Sequence, residues 1–143
     1  MSPNLDKQQV ILRLQHLKEY LKILKLLQKF SLKEIDQDPF KKGALLHYLQ
    51  LSAEICIDIG QMILVAENFV VPDESAKIFI ILGDHKWLPK KFAEEFSAVA
   101  RFRNLLVHEY VEINIAKVYS YLHDELKDFE FFAQAIIKYI RSA

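Results

Sequence analysis

The sequence predicts an all-α protein, an antiparallel bundle of about five helices in a single domain spanning residues 1–143. Hydrophobic residues make up 52% of the 143 residues, enough to build one core at this length. Only three Gly and four Pro interrupt the chain. Apolar residues recur at spacings of three and four along most of it, so long helices joined by brief connections are expected.

The first helix is predicted from about Leu5 to Phe30. Its main apolar stripe consists of Val10, Leu14, Leu17, Leu21 and Leu24, and a second stripe consists of Tyr20, Ile23, Leu27 and Phe30. Two stripes cover more surface than one neighbouring helix would bury. The first helix should therefore pack against two partners.

The stretch from Ser31 to Pro39 is predicted to be a connection, because Asp36, Asp38 and Pro39 favour caps and turns over helix interiors. The next helix, from Phe40 to Phe69, is apolar nearly all round. It should be the central and most buried helix.

A short helix is expected over residues Ala76 to Leu82, introduced by Pro72 and Asp73 and ending near Gly83. Asp73 could accept backbone N–H groups at its start, and glycine commonly follows a helix end.

Pro89 suits the first turn of a fourth helix, which continues through Phe92, Phe96, Val99, Phe102 and Leu106. Asn114 could cap a last helix, whose broad apolar face runs from Val118 to Ile140.

Charge and cysteine content limit the possible environments and partners. Nineteen basic residues balance nineteen acidic ones, so any contact with nucleic acid must depend on a local basic patch. The lone Cys56 lies in an apolar run and indicates a reducing compartment. No cationic leader and no uncharged run of membrane-spanning length is evident, so we expect a cytoplasmic protein without a membrane partner.

The segment Arg101–Tyr110 carries the strongest chemical signal in the sequence. It gathers two guanidinium groups, an amide, an imidazole and a phenol late in an otherwise apolar helix. Arg presents a fork of donors that matches phosphate oxygens, and His exchanges protons near neutral pH. RNA supplies its own nucleophile in the 2′-hydroxyl, so these groups suffice for cleavage without a metal or cofactor.

Helical geometry complicates a site made by one chain. At about 100° per residue, Arg103 and His108 lie roughly 140° apart, whereas Arg103 and Tyr110 share a stripe and Asn104 shares a face with His108. Either the helix ends or distorts near Val107, or the cooperating Arg and His come from two subunits. In the alternative, the three residues have no catalytic role: Arg103 is a surface residue, His108 lies at the negative end of a helix, and Tyr110 is a half-buried packing residue.

The run Arg103-Asn104-Leu-Leu-Val-His108-Glu-Tyr110 resembles the R-x4-H-x-Y signature of HepT-type toxins in the HEPN superfamily. The resemblance covers roughly Ala44 to Asn114, and includes the run from Glu54 to Gly60 and the pair Leu88-Pro89.

This resemblance implies a homodimeric, metal-independent endoribonuclease toxin with its cleft at the dimer interface. Arg103 would contact the scissile phosphate, His108 would transfer protons, and Tyr110 would line the site with Asn104 nearby. The implied partner is a MntA-type nucleotidyltransferase antitoxin that adenylylates Tyr110, which would add bulk and negative charge that repel RNA.

Weaker signals have simpler explanations beside functional ones. A polar stripe of His47, Gln50, Glu54, Asp58 and Gln61 follows the central helix, and is most simply solvent-exposed. Glu54 and Asp58 could instead lie beside the cleft and orient Arg103 or His108.

The basic residues Lys86, Lys90, Lys91 and Arg101 could hold RNA or be solvated. His16, His85 and His123 have no companions at metal-ligand spacing, and Trp87 is predicted to be a packing anchor.

Two other functional hypotheses remain open from the sequence. A non-catalytic helical module could bind the nucleotidyltransferase and present Tyr110 to it. A dimeric scaffold would need only the wide apolar surfaces of the first two helices.

Overall fold

The computed structural model describes residues 4–108 and 113–142, with only the backbone of residue 108. These residues form eight helical segments and no strand. The segments are α1 (Lys7–Leu27), α2 (Leu32–Gln37), α3 (Pro39–Ala66), α4 (Ala76–Asp84), α5 (Lys90–Phe96), α6 (Ala98–His108), α7 (Ile115–Asp124) and α8 (Leu126–Ser142). The all-α prediction is confirmed.

Helix α1 begins after Asp6, whose carboxylate accepts the backbone N–H of Gln9 at 3.1 Å. All five residues of the predicted main stripe are buried, as is Leu27 of the second stripe. The helix packs against both α3 and α8. This confirms that it has two packing partners.

The stretch from Ser31 to Pro39 is not a plain connection, because it contains the six-residue helix α2. Ser31 accepts the backbone N–H of Glu34 at 3.1 Å, and the Glu34 carboxylate accepts the backbone N–H of Ser31 at 3.0 Å. Asp38 then caps α3 by accepting the N–H of Phe40 at 2.9 Å. The polar residues that predicted a turn thus act as caps of two consecutive helices.

Helix α3 is the centre of the bundle, as predicted, and contacts α1, α2, α4, α6 and α8. Among the described residues it is the one helix long and apolar enough to cross a membrane, and 56% of its most apolar stretch is buried. Glu54 and Asp58 interrupt that stretch. Packing on five helices explains its apolarity without a membrane.

Helix α4 begins at Ala76, as predicted, and ends at Asp84, next to the predicted end near Gly83, but its caps differ from the expectation. Asp73 does not cap it, since the N-cap residue is Ser75, which makes no side-chain cap bond. The helix continues past Gly83, and the left-handed residue that follows it is Lys86, with φ 66°. The N–H of Trp87 bonds to the carbonyl of Leu82 at 2.9 Å, and that of Lys86 to the carbonyl of Gly83 at 3.2 Å, which forms a Schellman motif.

Gly83 serves close packing instead of helix termination. A Cβ atom at this position would lie 2.7 Å from the Cβ of Ala93 on α5. The glycine therefore allows α4 and α5 to approach each other.

The predicted fourth and last helices are each divided into two. The fourth breaks at Ser97, whose buried hydroxyl donates to the carbonyl of Glu94 at 2.6 Å. The last breaks at Glu125, between α7 and α8. Asn114 caps α7 as predicted, and accepts the N–H groups of Ala116 and Lys117 at 3.0 and 3.3 Å.

An aromatic cluster explains why the apolar pattern continues through both breaks. Phe96 of α5 packs against Phe79, Phe129 and Phe132, with ring centroids 5.0 to 5.9 Å apart. The segments on either side of each break thus face the same core. The spacing of apolar residues alone therefore predicts one long helix where the structure has two shorter ones.

Candidate active site

Helix α6 carries the described part of the motif, Arg103 to His108, and packs against α3 and α4. Leu106 is buried, and the Phe102 ring stacks on Tyr121 of α7 with centroids 4.0 Å apart and ring planes 4° from parallel. These contacts fix the rotation of α6 about its axis. Arg103 is consequently half-buried and Asn104 is exposed.

The Arg103 guanidinium is held by two neutral side chains. Its Nε donates to Oδ1 of Asn104 at 2.9 Å, and its Nη2 lies 3.5 Å from the hydroxyl oxygen of Ser75 at the start of α4. Arg103 forms no ion pair with any described carboxylate. Because a guanidinium has five N–H donors, most of the fork has no partner among the described residues and could accept an anion.

The backbone of α6 is helical from Ala98 to His108. α6 is described only as far as His108, one residue beyond Val107, so the alternative in which the helix ends or distorts near Val107 stays open beside a site shared by two subunits. Five residues of regular helix place positions 103 and 108 roughly 140° apart around the axis. The side chain of His108, and Tyr110 as a whole, lie outside the described residues, so the predicted roles of both stay predictions.

The two acidic residues of the polar stripe have partners other than Arg103. Glu54 accepts a hydrogen bond from Nε2 of Gln50 at 3.0 Å, one helical turn away. Asp58 pairs with Arg13 of α1. Asp58 and the stripe residues His47 and Gln61 are exposed, which agrees with a solvated face. A role for Glu54 and Asp58 beside a cleft stays a prediction.

Sequence reasoning missed Ser75 and Tyr121. Ser75 precedes Arg103 by 28 positions, and no local pattern links the two residues. Burial, together with the nearby acidic Glu125, raises the pKa of the Tyr121 phenol well above its ordinary value. Tyr121 therefore stays protonated and supports α6 by packing, without exchanging protons near neutral pH.

The predicted basic residues do not gather around Arg103. Arg101 is exposed, and its Nη2 lies 3.5 Å from Oγ of Ser97. Lys86 and Lys90 lie in the α4–α5 loop and at the start of α5, beyond the opposite end of α4 from Ser75. The local positive charge is therefore divided between two parts of the molecule.

The remaining candidate residues have packing contacts. Trp87 is 2% exposed and stacks on Tyr139 at 3.8 Å, which confirms it as a packing anchor. His16, His85 and His123 each lie against an aromatic ring.

Within the described ranges, no group of three His, Cys, Asp or Glu side chains is placed to hold a metal. Burial raises the pKa of the Cys56 thiol, which makes it a poor nucleophile.

Comparison with solved structures supports the fold. A tri-AMPylated HEPN toxin of Shewanella oneidensis, solved in complex with an MNT antitoxin, matches 90% of this chain and 96% of its own with a TM-score of 0.81 and 24% identity. YutE of Bacillus subtilis, a cytosolic protein of unknown function, covers 99% of this chain and 94% of its own with a TM-score of 0.86 and 19% identity.

Comparison of sequences identifies the family. The mRNA nuclease HepT of Shewanella oneidensis is 27% identical over 103 residues, which are 72% of this chain and 77% of the nuclease. Residues 17–136, which include Arg103 and the rest of the motif, match the ribonuclease HepT-like family. The chain belongs to this family.

Proposed function

We propose that this protein is the toxin of a toxin–antitoxin pair, and that it cleaves cellular RNA internally without a metal ion. Membership of a ribonuclease family and similarity to an mRNA nuclease support the reaction class. The observation that carries the proposal is the half-buried Arg103, which is held in place by neutral groups and lacks a described counter-ion. Such a cation is suited to an anionic substrate.

The proposed mechanism uses the chemistry of RNA itself. Arg103 binds the scissile phosphate and stabilises the charge that develops on it, while Asn104 holds the Nε edge of the guanidinium. His108 takes the proton from the 2′-hydroxyl as that oxygen attacks phosphorus, and a proton is returned to the departing 5′-oxygen. No step requires a Lewis acid, because the arginine supplies the positive charge.

We place this site between two subunits of a homodimer. Positions 103 and 108 lie roughly 140° apart around a regular helix, which favours a site that takes Arg103 from one chain and His108 from the other. A two-fold axis near this surface would bring Arg103 of one subunit towards His108 of the other. Leu105 and Val107 are 36% and 43% exposed on the same helix and would be covered by such contact.

We further propose that a nucleotidyltransferase antitoxin of the MntA type adenylylates Tyr110. The similar Shewanella toxin was solved as a tri-AMPylated protein with an MNT antitoxin. Each added nucleotide would place a phosphate near Arg103 and compete with RNA for the guanidinium. The intact mass of this chain, co-expressed with a nucleotidyltransferase of the MntA type, should increase by whole AMP units, and Tyr110→Phe should remove the increase.

We expect the protein to act in the cytoplasm, where its RNA substrates lie. The Bacillus protein with the same fold is described as cytosolic, and the buried Cys56 thiol is free. A reducing compartment suits an unpaired cysteine.

The direct test of the nuclease is cleavage of RNA in the presence of excess EDTA. Wild-type protein should produce fragments, and His108→Ala should abolish them. Tight binding of the nucleotidyltransferase without any cleavage by the wild-type protein would instead identify a non-catalytic binding module.

A further inference from the structure

A groove distant from Arg103 is formed by the α4–α5 loop, the start of α5 and the last turns of α8. It encloses about 800 Å³. Its lining includes the aromatic Trp87, Phe131 and Tyr139 and the basic Lys86, Lys90 and Lys138. A volume of this size accommodates a nucleotide unit.

The wall of the groove is aromatic and rigid. Trp87 stacks on Tyr139 with centroids 3.8 Å apart and planes 18° from parallel, which braces the loop against α8. Phe131 remains 43% exposed while its ring packs on Phe92 at 4.5 Å. A partly exposed ring supported from behind offers a flat face on which a base can stack.

The rim of the groove is positively charged. Three lysines line it against one aspartate, Asp84, whereas basic and acidic residues are equal in number over the whole chain. Lys86, Lys90 and Lys138 are exposed, and none of them forms an ion pair with a described carboxylate. This is the kind of local basic patch that a protein without net charge needs to bind a polyanion.

The backbone at Lys86 supports a role for its side chain. This residue takes the left-handed position of the Schellman motif, where glycine is the usual and less strained choice. A lysine at this position is sterically unfavourable, yet it places an ammonium group at the rim. The helix end alone gives no reason for the charge.

The groove and Arg103 lie at opposite ends of α4. Ser75, next to Arg103, precedes the first residue of this helix, and Asp84 at the groove is its last residue. Nine helical steps of about 1.5 Å separate these two residues by roughly 14 Å. A strand that reaches both places must be longer than the two nucleotides that flank a scissile phosphate.

We propose that this groove is a second binding site for the RNA substrate, which holds single-stranded RNA away from the cleaved bond. One base stacks on Phe131, and neighbouring phosphates contact the three lysines. The proposal rests on the proposed ribonuclease function. In this proposal the groove contributes to the affinity for RNA in addition to the contribution of Arg103.

The first test measures binding alone, with a fluorescein-labelled 2′-O-methyl RNA of twelve nucleotides that the 2′-hydroxyl chemistry cannot cleave. The double variant Lys90→Ala/Lys138→Ala should bind at least 10-fold more weakly than wild type. The slope of log affinity against log salt should also fall by about 1.4, or about 0.7 for each lost phosphate contact. The matched control is Lys18→Ala/Lys22→Ala, which removes two exposed lysines of α1 and should bind like wild type.

The second test separates the groove from the catalytic site. The groove variant should raise KM at least threefold for a cleavable twelve-nucleotide RNA, and leave kcat/KM for a dinucleotide unchanged. Lys86→Gly should weaken RNA binding while the melting temperature stays equal or rises, because glycine relieves the left-handed conformation. Loss of binding cannot then be attributed to misfolding.

The outcomes distinguish this proposal from the proposed function. Equal RNA affinity of the groove variant and the α1 control would overturn the second site. So would retained RNA affinity with lost dimerisation or lost binding of the nucleotidyltransferase, because the groove would then be a protein interface. If wild-type protein cleaves no RNA but binds the 2′-O-methyl probe through the groove, the second site stands and the nuclease assignment fails.

Discussion

Two arginines on helices that pack against α3 have opposite environments. Arg13 of α1 forms an ion pair with Asp58 of α3. Arg103 of α6 is held by Asn104 and Ser75, which carry no charge. The first arginine is neutralised within the fold, whereas the second forms no ion pair with a described carboxylate. Charge pairing, and not residue type, distinguishes these two arginines among the described residues.

The two positions also differ in what they contribute to stability. The Arg13–Asp58 side chains are 30% and 50% exposed, and pairs of this kind stabilise a protein by about 1 kcal/mol or less. A half-buried guanidinium without a described counter-ion gains no ion-pair energy from the described residues and loses some hydration. Retention of a feature that costs stability is typical of functional sites.

The largest expected effect is the loss of RNA cleavage in the Arg103→Ala variant. We expect RNA cleavage to fall on the order of 10²- to 10³-fold, because a preorganised charge is lost from the transition state. The free energy of unfolding should change little, since only two hydrogen bonds to neutral groups disappear. Cleavage rates and urea denaturation of the same samples check both parts.

The control for that variant is Arg13→Ala, which removes the paired arginine and should keep full activity at temperatures well below unfolding. Equal loss of activity in the two variants would contradict the conclusion that Arg103, and not Arg13, is needed for cleavage.

The next largest effect concerns Gly60, which allows α4, and hence Ser75, to lie close to α3. A Cβ at this position would lie 2.6 Å from Cγ2 of Ile78, a branched side chain that cannot easily rotate away. Gly60→Ala should lower the free energy of unfolding by about 1 kcal/mol even after the gain in helix propensity.

Gly43 in the same helix provides the matched substitution. A Cβ there meets nothing within 4 Å, so Gly43→Ala should raise the free energy of unfolding by roughly 0.5 to 1 kcal/mol. Changes of the same sign in the two variants, measured by denaturation, would show that the spacing between α3 and α4 does not depend on Gly60.

A smaller effect is expected from Ser75→Ala. Loss of one hydrogen bond of about 0.5 to 1 kcal/mol should lower kcat/KM about two- to fivefold through a less restrained Arg103. Ser75→Thr keeps the hydroxyl and should restore activity. An Ala variant as active as wild type, or a Thr variant as impaired as Ala, would mean that Ser75 does not position the guanidinium.

The smallest effect is the stability of the Arg13–Asp58 pair itself. A double-mutant cycle with Arg13→Ala and Asp58→Ala should give a coupling energy of about 0.2 to 1 kcal/mol, which decreases with added salt. A coupling energy near zero would assign the pair no part in stability.

The sequence predicts the helices well where one periodic pattern corresponds to one helix, as in α1 and α3. It misses the breaks at Ser97 and Glu125, because the segments on both sides of each break face the same aromatic core. It also predicts that Gly83 terminates α4. Gly83 instead allows close contact with Ala93, and the left-handed residue after the helix is Lys86.

The site is less predictable than the fold because its supporting contacts join distant positions. Arg103 meets Ser75 across 28 residues, and Arg13 meets Asp58 across 45. No helical periodicity relates such pairs. The motif itself was recognisable because its residues lie within one short segment.

The central claim is that the cleaving Arg103 and His108 come from different subunits. The most direct test mixes an Arg103→Ala chain with a His108→Ala chain, each inactive alone, and measures RNA cleavage by the purified mixed dimer. A shared site predicts recovered cleavage, because the intact arginine of one chain meets the intact histidine of the other. A mixed dimer as inactive as its parents would contradict the claim and place both groups in one chain.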